Sequence, residues 1–317
     1  MAEISESTLL INENRIYHLD LLPEELADNI VVVGDPSRAE AFGKMFLDAA
    51  KPIVARSHRG LVTMTGTTAK GMPLSFVTTG MGTGSVEIVI NEIIALKTVD
   101  LTTRTRIPRN PAVKLRIIRV GTCGVLQDDT PTGTLVVTKY AIGLDNTGLF
   151  YNTPLPCAEA EELEQSVRSA IDAAVPADAR FKGCIKPYVA VPDQKMKDTL
   201  VATVKKHEYL YKEGFTCSAA GFFTCQGREL FAEEHPTVAS LDKVLQGVRC
   251  NGLRIENFEM EISAITQVTA AFDWVEVGCV CLALANRSHQ TTCQLNLAKP
   301  ETAGEIAVET LETLAGF

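Results

Sequence analysis

The chain has 317 residues, 46% of them hydrophobic and 22% charged, with a mean hydropathy of +0.09. That composition excludes a disordered chain and supplies enough apolar residues for a sizeable core. The net charge of −9 argues against general binding to nucleic acid or an anionic membrane, although a few arginines can still build a local pocket for an anion.

The longest apolar run, residues 275–285, contains Glu276 and falls well short of the roughly 20 residues of a membrane span. Met1-Ala2-Glu3-Ile4-Ser5-Glu6 is acidic, with no basic stretch leading into an apolar one, so a cytoplasmic protein is expected. The 9 cysteines include no Cys-x-x-Cys pair and no His/Cys set with zinc spacing, which reads as free thiols in a reducing compartment and no metal site. Cys279 and Cys281 fall two apart in an apolar run and should share one strand face as small buried hydrophobes.

In chain order, Ile30-Val31-Val32-Val33 reads as a short buried strand. Gly34-Asp35-Pro36 follows, and helical spacing runs over 37–45 with Asp35 suited to the N-cap and Pro36 to the first turn. Residues 74–79 form a second strand that ends in Gly80-Met81-Gly82-Thr83-Gly84. Val86, Val89, Ile90, Ile93 and Leu96 then repeat at helical steps from about Ser85. Arg104, Arg106, Pro108, Arg109, Asn110 and Pro111 make 101–114 a solvated loop; no aromatic interleaves the charges, so a nucleic-acid patch is disfavoured. Residues 115–120 are a third strand ending at Gly121-Thr122-Cys123-Gly124, and 134–138 another. Helices are expected at 158–174, 194–207, 259–268 and 302–315, and a last strand at 275–284. Strands and helices alternate with no linker or repeat. The expected fold is a single α/β domain, residues 1–317, with a central mixed sheet flanked by helices on both faces.

Ligands in such sheets bind beyond the carboxyl ends of strands. Three strand ends here carry small residues, where a ligand can approach the backbone and a helix N-terminus can offer N–H groups to an anion. Arg38 lies one turn into the first helix, and Arg119 stands two residues before Gly121. Together these residues make a candidate phosphate pocket. The glycine segment is neither a Walker A loop, lacking Gly-Lys-Ser/Thr, nor a full Gly-x-Gly-x-x-Gly fingerprint, since Glu87 stands at the last glycine position.

These segments, in this order, resemble the first nucleoside phosphorylase family and, within it, the uridine phosphorylases, from His18 to Arg287. The most specific part is Phe222-Phe223-Thr224-Cys225-Gln226-Gly227-Arg228, similar to the family's Phe-Tyr-x-x-Gln-x-Arg uracil-binding stretch. Asn257-Phe258-Glu259-Met260-Glu261 resembles its ribose-binding segment. The resemblance implies phosphorolysis of uridine to uracil and ribose 1-phosphate, with inorganic phosphate as co-substrate and no resident cofactor. It assigns phosphate to Gly34, Arg38, Arg119, Gly121 and Thr122, with Arg59 reaching the phosphate of a neighbouring subunit. Met260, Glu261 and Thr122 would hold ribose, and His18 would reach the 5′-hydroxyl across the interface. Phe222, Gln226 and Arg228 would hold the base, with Arg228, Gln226 and Arg119 the catalytic residues and Arg287 a helper behind the first two.

The chemistry suits those residue types. Arginine forks match phosphate, the Gln226 amide pairs a donor with an acceptor as the uracil edge does, and Arg228 can stabilise a departing base anion. Purine-cleaving relatives place Ser-Asp near the last strand, where this chain has Leu284-Ala285-Asn286-Arg287. A pyrimidine lacks the ring nitrogen such an acid would protonate. Bacterial uridine phosphorylases carry Glu after the Ser-His-Arg arginine to bind a monovalent cation; here Gly60 leaves that interfacial cation open. The longer 101–114 loop resembles the animal-type enzymes, which implies a homodimer. Two alternatives stay open: a purine nucleoside phosphorylase or nucleoside hydrolase of the same fold, and a non-catalytic nucleoside-binding protein.

Overall fold

Alternation of β-branched residues decides the layering. In β1 (Asn29–Val33) the side chains of Ile30 and Val32 enter one apolar cluster and those of Val31 and Val33 enter another, because successive strand residues point to opposite faces. The computed structural model describes residues 3–108, 110, 112–293 and 299–317. Met1, Ala2, Arg109 and Pro111 of the readings above lie outside the described residues.

After β1 come α1 (Pro36–Phe46), β2 (Val54–His58), β3 (Leu61–Thr67), β4 (Pro73–Thr78), α2 (Thr83–Thr98), β5 (Leu115–Val125) and β6 (Leu135–Leu144). The second half carries α3 (Ala158–Ala174), β7 (Tyr188–Ala190), α4 (Gln194–Lys206), β8 (Tyr211–Ala219), α5 (Leu241–Gln246), β9 (Leu253–Glu259), α6 (Ile262–Thr269), β10 (Val275–Asn286) and α7 (Pro300–Ala315). The sheet order is β9-β8-β6-β10-β5-β1-β4-β3-β2. It is mixed: β1 is parallel to β4 and β5, whereas β6 and β10 run antiparallel. β9 also pairs with β5, through Asn257↔Val125 and Phe258↔Gly124. That pairing closes β5, β10, β6, β8 and β9 into a ring, and the carboxyl ends of β5 and β9 meet at one mouth of it.

α2 and α6 pack on one face of the sheet, and α1, α4 and α7 on the other. α2 buries Val86, Val89, Ile90, Ile93 and Leu96, as its spacing predicts. Each such side chain contributes roughly 1.5–3 kcal/mol of transfer free energy before chain entropy is subtracted. Asp35 caps α1 by accepting from the Ser37 N–H at 2.9 Å.

Four expectations need correction. β5 runs to Val125, so Gly121, Thr122, Cys123 and Gly124 lie within the strand rather than beyond it. The helix expected from residue 259 starts at Ile262, because β9 continues through Glu259. The 101–114 segment is not wholly solvated. Leu101 is buried, Val99–Asp100 pairs with Thr105–Arg106, and Arg104 donates to the carbonyls of Ile4, Ser5 and Leu9. β2 and β3 went unseen: their alternation is diluted by Arg56, Ser57, His58 and three threonines of an edge hairpin. No helix among the described residues is long and apolar enough to cross a membrane.

Candidate active site

At the mouth where β5 and β9 meet lies a cavity of about 730 Å³. Gly34, Arg38, Arg119, Gly121, Thr122, Met260, Glu261, Phe222, Gln226 and Arg228 all line it. Gly34 follows β1, Arg38 lies in the first turn of α1, Arg119, Gly121 and Thr122 lie within β5, Met260 and Glu261 follow β9, and Phe222 lies in the loop after β8. Gln226 and Arg228 come from a loop.

Arg119 is the fixed point. Its side chain folds back along β5 over Gly121, where a Cβ would stand 1.6 Å from Nη1. Nε donates to Glu259 Oε2 at 2.9 Å, Nη2 pairs with Glu261 Oε2, and Nη1 donates to Cys281 Sγ at 3.4 Å. Burial disfavours the arginine's charge, but Glu261 and Glu259 outweigh it and hold the pKa well above the ordinary value. Burial pushes Glu259 up to about 8, against the pull of Arg119 and with the push of Glu261. Arg38 carries the opposite shift: burial and then the Arg119 charge lower its pKa, with Asp35 opposing. Two arginines facing one cavity in a partly desolvated place favour an anion between them.

Glu261 is held from two sides. Oε1 accepts the Gly82 N–H at 2.8 Å, and Oε2 takes Arg119. Far from being a surface helix residue, it is only 3% exposed. Glu259 also lines the cavity and was not among the expected site residues. It accepts from Arg119, the Ser218 hydroxyl and the N–H groups of Glu261 and Ile262, so it orients the arginine and satisfies the start of α6 at once. The Glu-x-Glu spacing at a strand end was the available signal.

In the wall that the 222–228 loop supplies, Gln226 is 3% exposed, so it is not part of an open polar turn. Arg228 lies over the Phe222 ring, 3.9 Å from its centroid, and donates to the Phe222 carbonyl at 2.8 Å and to Gln226 Oε1. Burial, then Arg287, lowers the Arg228 pKa to about 10, which leaves it cationic at neutral pH. Arg287 sits behind the loop. It donates to the Gln226 carbonyl at 3.1 Å, to the Gly227 carbonyl at 3.4 Å and to Asp242 at 3.3 Å. Asn286 is turned into the fold: its amide donates to the carbonyls of Gln127 and Thr130, and its oxygen accepts from His289 N–H.

Residues 28–315 match the family described as the Phosphorylase superfamily. The chain belongs to that superfamily. Among curated relatives of this superfamily member, the uridine phosphorylase of Thermococcus kodakarensis is 27% identical over 305 residues, covering 96% of this chain and 88% of its own. A DeoD-type purine nucleoside phosphorylase of Oceanobacillus iheyensis is 34% identical, but over 124 residues only, 39% of this chain and 45% of its own. Among solved structures, a Trypanosoma brucei nucleoside phosphorylase that shows uridine phosphorylase activity superposes with a TM-score of 0.84 at 28% identity, covering 98% of this chain and 100% of that one. A uridine phosphorylase of Phytophthora capsici shares the fold, with a TM-score of 0.70 at 19% identity over 98% of each chain.

Two expected site residues of this phosphorylase-superfamily chain stand apart from the cavity, and they stand together. His18 and Arg59 both gather round Tyr17. The His18 ring meets it edge-on at 5.0 Å, and the Arg59 guanidinium lies 5.9 Å from its centroid. Arg59 and Gly60 form the two-residue turn between β2 and β3, both with positive φ, 52° and 79°. That is the geometry of a tight hairpin turn, and it places the arginine at the tip.

Proposed function

We propose that this chain is a uridine phosphorylase, converting uridine and inorganic phosphate reversibly to uracil and ribose 1-phosphate in pyrimidine salvage. The observation that carries the reading is one cavity lined by Arg38, Arg119 and Thr122, by Glu261 paired with Arg119, and by the buried Gln226 amide beside Arg228. Phosphate binds between Arg38 and Arg119 beside Thr122 and the Gly34 backbone, with Gly121 giving room to the Arg119 guanidinium. Glu261 accepts from ribose hydroxyls, Met260 covers the sugar, and uracil lies against Phe222.

A phosphate oxygen attacks the anomeric carbon as the bond to the base nitrogen breaks. The C–O bond forms, the C–N bond is lost, and its electron pair leaves on uracil through an oxocarbenium-like sugar. Gln226 meets the uracil N–H and carbonyl. An N–H offered to Gln226 Oε1 takes the place Arg228 occupies there, which frees the guanidinium to donate to the other carbonyl and stabilise the anion.

The relatives named above support the pyrimidine side. So does Asn286, whose amide is spent on backbone groups and supplies no acid for a purine. Arg38 and Arg119, both lining the cavity, disfavour a hydrolase and a non-catalytic binder alike, since neither needs such charge. We further propose a cytoplasmic homodimer in which His18 and Arg59 of one chain complete the cavity of the other. Inorganic phosphate is a co-substrate, no cofactor is needed, and Gly60 supplies no carboxylate for an interfacial cation.

Phosphorus NMR of the products of uridine and phosphate should show ribose 1-phosphate; release of free ribose would contradict the reading. Mixing the weakened His18→Ala and Glu261→Ala homodimers under exchange conditions should raise uridine cleavage above the sum of the two separate activities. No such rise despite proven exchange would rule out a shared site.

A further inference from the structure

Glu92 is a buried carboxylate that the chemistry above leaves unused. It lies midway along α2 and is 5% exposed. Three nitrogens of one short segment converge on it. His18 Nδ1 stands 2.6 Å from Oε1, the His18 backbone N–H donates to the same oxygen at 3.1 Å, and the Leu19 N–H donates to Oε2 at 2.9 Å. The other surroundings of His18 are packed as well. Tyr17 meets both His18 and His58 edge-on, and His58 Nδ1 lies 3.3 Å from the His18 carbonyl. No described residue hydrogen-bonds His18 Nε2, and the side chain is 25% exposed.

We propose that Glu92 is a positioning residue which fixes the His18 tautomer and presents Nε2 as a hydrogen-bond acceptor to the 5′-hydroxyl of a nucleoside in the partner's cavity. A neutral imidazole has one donor and one acceptor nitrogen, and the nitrogen facing a carboxylate must be the donor. Nδ1 therefore carries the proton, and Nε2 offers a lone pair. The 5′-hydroxyl then donates to the protein. α2 serves two cavities at once. Gly82, its N-cap, donates to Glu261 in the chain's own cavity, while Glu92 three turns on holds the histidine for the partner's. This inference rests on the shared uridine site proposed above.

The test pairs nitrogen NMR of the His18 imidazole with kinetics on uridine and 5′-deoxyuridine at saturating phosphate. Wild-type protein should show His18 protonated on Nδ1. Glu92→Gln leaves one acceptor oxygen for three N–H donors, and it should shift the proton toward Nε2. It should also lower kcat/KM for uridine by about 10- to 100-fold, the range for a group that orients a ligating histidine, with a much smaller change on 5′-deoxyuridine. His18→Ala should show the same selective loss, the double variant should be no worse than His18→Ala, and Glu92→Asp should recover part of the uridine rate. An Nε2-protonated His18 in the wild type, or an equal fall on both substrates in Glu92→Gln, would overturn the proposal. Absence of uridine cleavage by wild-type protein would instead overturn the shared-site reading, and with it the role given to Nε2. The NMR result alone would still decide whether Glu92 sets the tautomer.

Discussion

Gly121→Ala isolates the part of the site that the sheet itself builds. Gly121 lies in β5 with no positive φ, so alanine brings no backbone strain. Its Cβ, however, would stand 1.6 Å from Arg119 Nη1 and 2.6 Å from Cζ. The guanidinium has to leave, and it takes with it the 2.9 Å bond to Glu259 and the pair with Glu261. Breaking one side of a buried charge pair costs about 3–5 kcal/mol. That figure is a cost to the fold; losing a preorganised cationic donor from the phosphate site should in addition lower kcat/KM for phosphate by roughly 100- to 1000-fold. Initial rates with phosphate varied at fixed uridine measure it. Arg119→Ala should produce a similar loss, and the double variant should be no worse than Arg119→Ala, because both changes remove the same interaction. Wild-type kcat/KM for phosphate in Gly121→Ala, or additive losses in the double variant, would refute the reasoning.

Arg228→Ala should lower kcat/KM for uridine by about 100-fold or more through lost stabilisation of the base anion; a value near wild type in steady-state assays would remove that role. Arg287→Ala should free the loop that carries Gln226 and raise the KM for uridine more than it lowers kcat, which the same assay resolves. Glu25 gives a pH prediction away from the cavity. Hydrogen bonding to Arg15, and then to Arg56, lowers its pKa from 4.5 to about 2. Since the folded value lies below the unfolded one, this stabilisation is present above pH 4.5 and is lost as the pH falls through about 2. Melting temperatures of Glu25→Gln should therefore fall less steeply than wild type across that window, and an unchanged slope would contradict the assignment.

Where local signals and tertiary packing agree, the sequence was a sufficient guide. α1 announces itself by Asp35-Pro36 and α2 by its apolar spacing, and both sit where those residues put them. The loop of Gln226 and Arg228 was legible because Phe222 to Arg228 resembles the family's Phe-Tyr-x-x-Gln-x-Arg stretch. Ring closure was not legible. The β5–β9 pairing joins residues more than a hundred positions apart, and no local pattern encodes it. For the same reason the helix expected at 259 began late: Glu259 reads as an ordinary first-turn acid until Arg119, Ser218 and the α6 N–H groups surround it. Glu92 was hidden in the same way, an acid within a largely apolar helix whose partner lies 74 residues earlier.

The most direct test of the account is uracil release from uridine with and without inorganic phosphate, with inosine run in parallel. The account predicts release that depends on phosphate and is confined to uridine. Release without phosphate would contradict the phosphorylase reading, and cleavage of inosine would contradict the assignment of Gln226, Arg228 and Asn286 to the pyrimidine branch.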